Sequence, residues 1–312
     1  MKSVAMAFYN GAKYIDEQIR SILDNMEETD ELIISVDDAS DGSEAILEDW
    51  VQNDQRIRII KGPGKGVVKN FENAFKHCRG EIIFLSDQDD VWKKNKMREI
   101  ERVFEDPKVM AVVHDAQIVD EKLSSLDQTT FEWRNSGTGF WKNMKKNSYI
   151  GCCMAVRRSA MKRILPIPDD IWIHDQWIGL LSEQLGKVVF LEEPLIYYRR
   201  HGGNVTELTH GSITSMIKKR YHMIMGINHR IKDILKTHKY LLLSFFLPVL
   251  LLEGIAIAEK IQPFGSESFL IVDALHQYLP FFADYQEKLK SMDSMFYSFH
   301  AGLGYNFLQC LR

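Results

Sequence analysis

Four short apolar runs, three of them followed by a helical face, constrain the fold of this chain more than any other feature. The runs are Ser3 to Phe8, Glu31 to Val36, Ile57 to Ile60 and Glu81 to Leu85. Ile15, Ile19, Ile22 and Leu23 follow the first at helical spacing. Ser43 is placed to cap a second helix that buries Ile46, Leu47, Trp50 and Val51. Val67, Phe71, Ala74, Phe75 and Cys78 mark a third face, and Met110 to Val113 reads as a fifth strand. Strand–helix units of this length predict a parallel, doubly wound α/β sheet.

From about Ala116 the rhythm changes. Gly137-Thr138-Gly139 reads as a loop and Tyr149 to Val156 as a strand. Pro166 and Pro168 break the chain ahead of a helix from Asp175 to Leu185, ended by Gly186. Lys187 to Leu191 and Leu195 to Tyr198 read as two short strands, and Gly202-Gly203 opens a flexible stretch. Beyond about Gly211 the pattern is helical. Ser212 to Lys239 is rich in Lys and Arg, and the apolar run Leu241 to Ala258 follows. Ser244, Pro248, Glu253 and Gly254 interrupt that run, so it suits an in-plane amphipathic helix on a cytoplasmic membrane surface, or a subunit contact, better than a span. The expected division is a catalytic domain over 1–210 and a helical extension over 211–312.

Composition narrows the class. With 312 residues, 45% apolar and 26% charged, the chain is an ordinary globular one. A net charge of −4 argues against a general nucleic-acid binder. Cys78, Cys152, Cys153 and Cys310 form no C-x-x-C pair, and the chain starts directly in a strand without a signal peptide, which points to a reduced, cytoplasmic protein.

The chemistry collects where strands end. Asp87, Asp89 and Asp90 crowd the end of the run Ile82-Ile83-Phe84-Leu85. In open α/β sheets ligands sit at that end of a strand, and such carboxylates repel unless a cation joins them. A divalent metal carrying a diphosphate meets the need. The bland alternative is a solvated acidic loop before a helix. Asp37-Asp38-Ala39-Ser40-Asp41-Gly42-Ser43 ends the second run. A carboxylate there can accept the N3–H of uracil or thymine, which cytosine lacks, or the comparable N1–H of guanine, and the same residues also suit a capping turn. Gly62-Pro63-Gly64-Lys65-Gly66 departs from the phosphate-loop pattern and reads as a turn.

These segments resemble the glycosyltransferases of family 2. The resemblance rests on Ala7-Phe8-Tyr9-Asn10-Gly11, the Asp37 to Ser43 segment and Ser86-Asp87-Gln88-Asp89-Asp90-Val91-Trp92. Ile173-His174-Asp175-Gln176-Trp177 and Tyr197-Tyr198-Arg199-Arg200-His201-Gly202-Gly203-Asn204-Val205 point to the rhamnosyltransferase-like branch that builds bacterial cell-wall and capsular polysaccharides.

The resemblance covers about Met1 to Thr206. It implies a GT-A fold, a Rossmann-like, mostly parallel sheet flanked by helices. It also implies an inverting transferase that uses Mn²⁺ or Mg²⁺, a dTDP- or UDP-linked sugar donor and a lipid-linked or oligosaccharide acceptor. By that resemblance Phe8, Tyr9 and Asn10 line the nucleoside, and Asp38 contacts the base. Asp87 and Asp89 form the D-x-D pair, with Asp89 the direct metal ligand and His201 a further one. Asp175 is the catalytic base, and Gly151-Cys152-Cys153 lines the acceptor side. Phe8 stands where a Thr is commoner, which removes one hydroxyl contact. Arg199 or Arg200 offers a charge-assisted contact to the donor phosphates. Dimerisation through the extension is compatible with this reading. A non-catalytic nucleotide-sugar binder and a glycoside hydrolase are the rivals. The joint presence of Asp38, Asp87, Asp89 and Asp175 argues against a decayed site.

Overall fold

The computed structural model describes residues 1–202 and a few residues between 219 and 230. Two compact units divide the chain, Met1–His210 and Gly211–Arg312. Most of the basic stretch and all of the apolar run Leu241 to Ala258 lie outside the described residues.

The first unit begins with the expected alternation: β1 (Ser3–Phe8), α1 (Ile15–Leu23), β2 (Glu31–Val36), α2 (Ser43–Asn53), β3 (Ile57–Lys61), α3 (Val67–His77) and β4 (Ile82–Ser86). Next come β5 (Val91–Trp92), α4 (Lys96–Val103), β6 (Val109–Val119), β7 (Ser125–Thr129), α5 (Thr130–Arg134) and α6 (Phe140–Lys145). A 3-10 turn (Gly151–Cys153), β8 (Met154–Arg157), α7 (Arg158–Ile164), α8 (His174–Leu185) and β9 (Lys187–Arg199) complete it.

Nine strands among the described residues form one sheet, ordered β3-β2-β1-β4-β8-β6-β9-β5, with β7 on β6. β1 to β4 pair in parallel, as the apolar runs predict, and β6 and β9 are parallel to each other. The remainder corrects a purely parallel reading. β8 lies antiparallel to both β4 and β6, and β5 and β7 are antiparallel to their partners. The sheet is mixed but mostly parallel, flanked by helices.

Local differences have local causes. Asp41 takes the N–H and hydroxyl of Ser43, so Ser43 starts α2 instead of capping it, after Gly42 turns the chain at φ 83°. Val51 and Val67 are exposed, and Val68 is buried in α3. The expected strand from Tyr149 is a turn as far as Cys153, so only Met154–Arg157 pairs. The two short C-terminal strands are one long β9. Its register against β6 shifts around Asp115 and Pro194, and that irregularity accommodates a residue unable to donate to the ladder.

Close approach at the N-terminal edge depends on Gly80. Its N–H donates to Ser3 Oγ at 2.7 Å, and a Cβ there would lie 2.5 Å from the backbone of Lys2 and Ser3. The chain leading into β4 can therefore lie directly against the start of β1. Gly80→Ala is expected to destabilise the protein by about 1–3 kcal/mol, the usual cost of overpacking. Urea denaturation checks it; an unchanged midpoint would contradict this packing.

Candidate active site

The C-terminal ends of β1, β2 and β4 carry three loops that are tied to one another. Gln88, between the two D-x-D aspartates, accepts the Tyr9 N–H at 2.8 Å and donates to the Tyr9 carbonyl at 2.9 Å. One side chain thus pairs with a backbone as a strand would. Gly11 makes room for it, since a Cβ there would meet the Gln88 amide at 2.7 Å. Asn10 has φ 47° and accepts the Ser40 N–H at 2.8 Å, and Asp41 accepts the Ala12 N–H at 2.8 Å. From α1, Gln18 donates to Ser86 Oγ and to the Asp87 carbonyl.

The adjacent aspartates after β2 divide their work. Asp37 is buried and accepts the Gly64 N–H, so it holds the neighbouring turn. Asp38 is exposed and makes no hydrogen bond among the described residues. Tyr9 is exposed as well. Phe8, expected to line the nucleoside, does not: it is the last residue of β1, and its side chain is fully buried. Only its carbonyl serves the loops, accepting the Asp37 N–H and the Asn70 amide.

At the end of β4 the acids separate into two groups. Asp87, Asp90 and Cys152 bring ligand atoms within 4.8 Å of one another. Asp89 instead meets His201 Nε2 at 2.9 Å. The expected set of Asp87, Asp89 and His201 is therefore divided between two neighbouring clusters. Burial, followed by the charges of Asp89 and Asp175, pushes Asp87 up to about 7. Burial and both neighbouring acids hold Asp90 well above the usual carboxylate range. Asp90 Oδ1 accepts the Arg199 N–H, while Oδ2 is buried without a hydrogen-bond partner beside the Cys152 thiol. An orphaned carboxylate oxygen beside a second carboxylate, with the Asp89–His201 pair in the neighbouring cluster, offers oxygen donors of the kind that suit Mn²⁺ or Mg²⁺.

Cations beneath the loop hold the acids in place. Lys96 is fully buried, donates to the Cys152 carbonyl at 2.9 Å and lies 3.8 Å from the Trp92 ring centroid. Burial pulls it down to about 8, opposed by the nearby Asp90 and Asp87. Arg199 donates to the carbonyls of Asp89 and Glu121 and pairs with Glu17 at 2.6 Å. These partners make it a brace for the acidic loop after β4, in place of the expected phosphate contact. Arg200 lies over Trp133, 5.1 Å from the ring centroid, beside His201.

Asp175, in the first turn of α8, accepts the Asn147 amide at 3.0 Å. Burial pushes it up to about 6, opposed by the charge of Arg134 and by its hydrogen bonds. Its neighbour His174 stacks on Phe71 at 4.2 Å and is pulled down to about 4 by burial, so it is a neutral packing residue at pH 7. Two residues of the site, Gln88 and Lys96, carry no mark in the sequence that singles them out. Gln88 lies inside the motif between two more conspicuous acids. Lys96 stands at the start of a helix, where a lysine ordinarily points to solvent.

The family model described as Glycosyl transferase family 2 matches residues 3–165. A second, Bacterial membrane protein YfhO, matches residues 244–311, outside the described part. The chain is 29% identical over 210 residues to an uncharacterized glycosyltransferase of Nostoc, covering 65% of each chain. It is 26% identical over 193 residues to a putative teichuronic acid biosynthesis glycosyltransferase of Bacillus subtilis, covering 58% of this chain and 72% of that one. It is 24% identical over 214 residues to a dTDP-rhamnosyl transferase of Shigella flexneri, covering 64% and 72%.

Among solved structures, S. aureus TarS in complex with UDP-GlcNAc superposes with a TM-score of 0.59 at 16% identity, covering 74% of this chain and 66% of that one. A Pyrobaculum calidifontis mannosyltransferase in complex with GDP-Man and Mn²⁺ gives 0.51 at 17% identity, covering 89% and 81%. The mixed sheet is that of the GT-A fold.

Two outcomes follow from this geometry. Gln88→Leu removes both bonds to Tyr9 and is expected to weaken nucleoside diphosphate binding on the order of ten-fold, read by calorimetry; unchanged affinity would show that the clamp is idle. The second concerns pH. An unfolded Asp titrates near 3.9. Between there and about 7 the native Asp87 keeps its proton and the unfolded one does not, so its contribution to stability falls as pH rises. A metal must displace that proton, so the rise in Tm with Mn²⁺ is expected to be larger at pH 8 than at pH 6. Equal shifts at both values would contradict the assignment of Asp87.

Proposed function

The chain belongs to glycosyl transferase family 2, and we propose that it moves one sugar from a nucleoside diphosphate to a hydroxyl of a growing, lipid-linked cell-surface polysaccharide, with inversion. The observation that carries this reading is the crowding of half-buried Asp87 against buried Asp90 at the end of β4, beside Asp89–His201 and in electrostatic reach of Asp175. A site that keeps so many carboxylates together is suited to a substrate that arrives with a divalent cation.

In this reading Asp38, Tyr9 and Asn10 hold the nucleoside. Asp38 accepts the N3–H shared by uracil and thymine. Asp87 and Asp89, with His201 and the orphaned oxygen of Asp90, would hold Mn²⁺ or Mg²⁺. When bound, the ion supplies charge stabilisation for the departing diphosphate. Asp175 takes the proton of the acceptor hydroxyl as its oxygen bonds to the anomeric carbon, and the bond to the diphosphate breaks on the opposite face. Asn147 and α8 fix the carboxylate in place. A value near 6 leaves it ionised at neutral pH and basic enough to accept the proton.

We favour dTDP-L-rhamnose as donor, supported by similarity to the Shigella enzyme; a UDP-hexose is the alternative, since Asp38 reads an edge common to both bases. The reading assigns catalysis to 1–210. It rests 211–312 on the inner membrane face or on a second subunit, as the basic stretch and the likeness of 244–311 to a bacterial membrane protein suggest. No described helix is long and apolar enough to cross a membrane.

Nucleoside diphosphate release from dTDP-rhamnose, UDP-hexoses and GDP-mannose, with a crude lipid-linked acceptor and with Mn²⁺, Mg²⁺ or EDTA, tests the reading. Release from one donor, abolished by EDTA and by Asp89→Ala, is expected. Asp175→Asn should lower kcat by about 10²–10⁴. Wild-type kcat/KM should rise with pH through about 6 and level off above it. Donor binding without turnover on a defined acceptor would sink the catalytic reading in favour of a binding module.

A further inference from the structure

The two clusters at the end of β4 differ in their chemistry. Asp89 faces an imidazole, whereas Asp87 and Asp90 face a thiol. Ligand atoms of Asp87, Asp90 and Cys152 lie within 4.8 Å of one another. A tetrahedral ion with bonds of about 2.0–2.3 Å holds its ligand atoms about 3.3–3.8 Å apart, so small side-chain movements close this cluster on a metal. The cluster also has an unmet need. Asp90 is 1% exposed; its Oδ1 accepts the Arg199 N–H, and its Oδ2 has no hydrogen-bond partner among the described residues. A buried carboxylate oxygen left so is costly, and a coordinated cation satisfies it. Asp87 is only half-buried, which leaves an ion a way in on that side.

The thiol is fixed beside these acids. Cys152 is fully buried in the 3-10 turn after Ile150. Lys96, sealed below, donates to the Cys152 carbonyl at 2.9 Å, and the Cys153 N–H donates to the Ile150 carbonyl at 3.0 Å. Gly151 packs against His174, where a Cβ would meet Nε2 at 2.8 Å. Lys96 is also in electrostatic reach of both acids, and its charge offsets part of what an ionised ligand set carries. Two carboxylates alone suit hard ions such as Mn²⁺ and Mg²⁺. One thiolate changes the preference, because sulfur ligands favour Zn²⁺, which accepts three protein ligands and leaves a fourth position open.

We propose that Asp87, Asp90 and Cys152 form a site for a thiophilic divalent cation, Zn²⁺, distinct from the Asp89–His201 pair, and that Zn²⁺ held there excludes Mn²⁺ from the shared carboxylates. Binding forms a Zn–S bond as the thiol proton passes to solvent, with no change of oxidation state. The site stands on its own geometry; the exclusion of Mn²⁺ rests on the metal roles proposed above.

Co²⁺ is the probe, because a bound thiolate gives it a charge-transfer band in the near ultraviolet that oxygen ligands do not. The reduced full chain is titrated with Co²⁺, and Zn²⁺ is then added. A thiolate band that Zn²⁺ removes is expected. Cys152→Ser should abolish the band and weaken Zn²⁺ binding by at least about ten-fold, since even outer-shell changes at metal sites cost about 10–100-fold. Asp87→Asn should keep the band but move its titration to about ten-fold higher Co²⁺. Cys153→Ser and Cys310→Ser should leave band and affinity unchanged, with thermal melts confirming that each variant is folded. Absence of a thiolate band in the wild-type chain overturns the proposal without recourse to any variant. A band that survives in folded Cys152→Ser overturns it as well. Excess Mn²⁺ should lower the cobalt band. A band untouched by Mn²⁺ overturns the exclusion and removes Asp87 and Asp90 from the Mn²⁺ set, while the thiol site stands.

Discussion

Mutual repulsion among Asp87, Asp89, Asp90 and Asp175 is the constraint around which the rest of this site is arranged. Three of them crowd the end of β4, where burial makes the ionised forms of Asp87 and Asp90 costly, as it does for Asp175 on α8. The protein answers with basic side chains placed beneath and beside them. Lys96 is sealed under the loop, Arg199 braces its backbone, and His201 faces Asp89. The site is therefore held together before any ligand enters.

A similar logic governs the nucleoside side. The loops after β1, β2 and β4 are far apart in sequence, yet Gln88, Asn10 and Asp41 make them one surface through bonds to backbone groups. Backbone groups at strand ends must be satisfied in any case. Using side chains from a neighbouring loop for that purpose fixes the relative position of the residues proposed to read the base and to hold the metal without a dedicated scaffold.

Most of the strand–helix frame is legible in the sequence because short apolar runs alternate with segments whose apolar residues recur at helical spacing. The D-x-D segment is legible because acids crowded after a buried strand repel one another unless a cation joins them. The direction of β8 is not, since an isolated apolar run carries no sign of parallel or antiparallel pairing. Phe8 departs from its expected place because β1 extends through the first positions of the motif and turns that side chain into the core. Lys96 and Arg134 are hidden for a common reason: a basic residue on a short helix reads as solvent-facing until the tertiary structure shows what covers it.

The helix α3 carries a consequence of its own. Asn70 donates to the Phe8 carbonyl, Phe71 stacks on His174 beside the base, and Lys69 and Glu72 hold the backbone of Ile167 on the approach to α8. One helix that none of the proposed roles brings to a substrate thus joins the nucleoside loop to the segment bearing Asp175. A change at Lys69, Asn70, Phe71 or Glu72 therefore disturbs the two segments together. A record of which positions tolerate change would mark α3 as part of the active site, although its task is to keep two halves of that site in step.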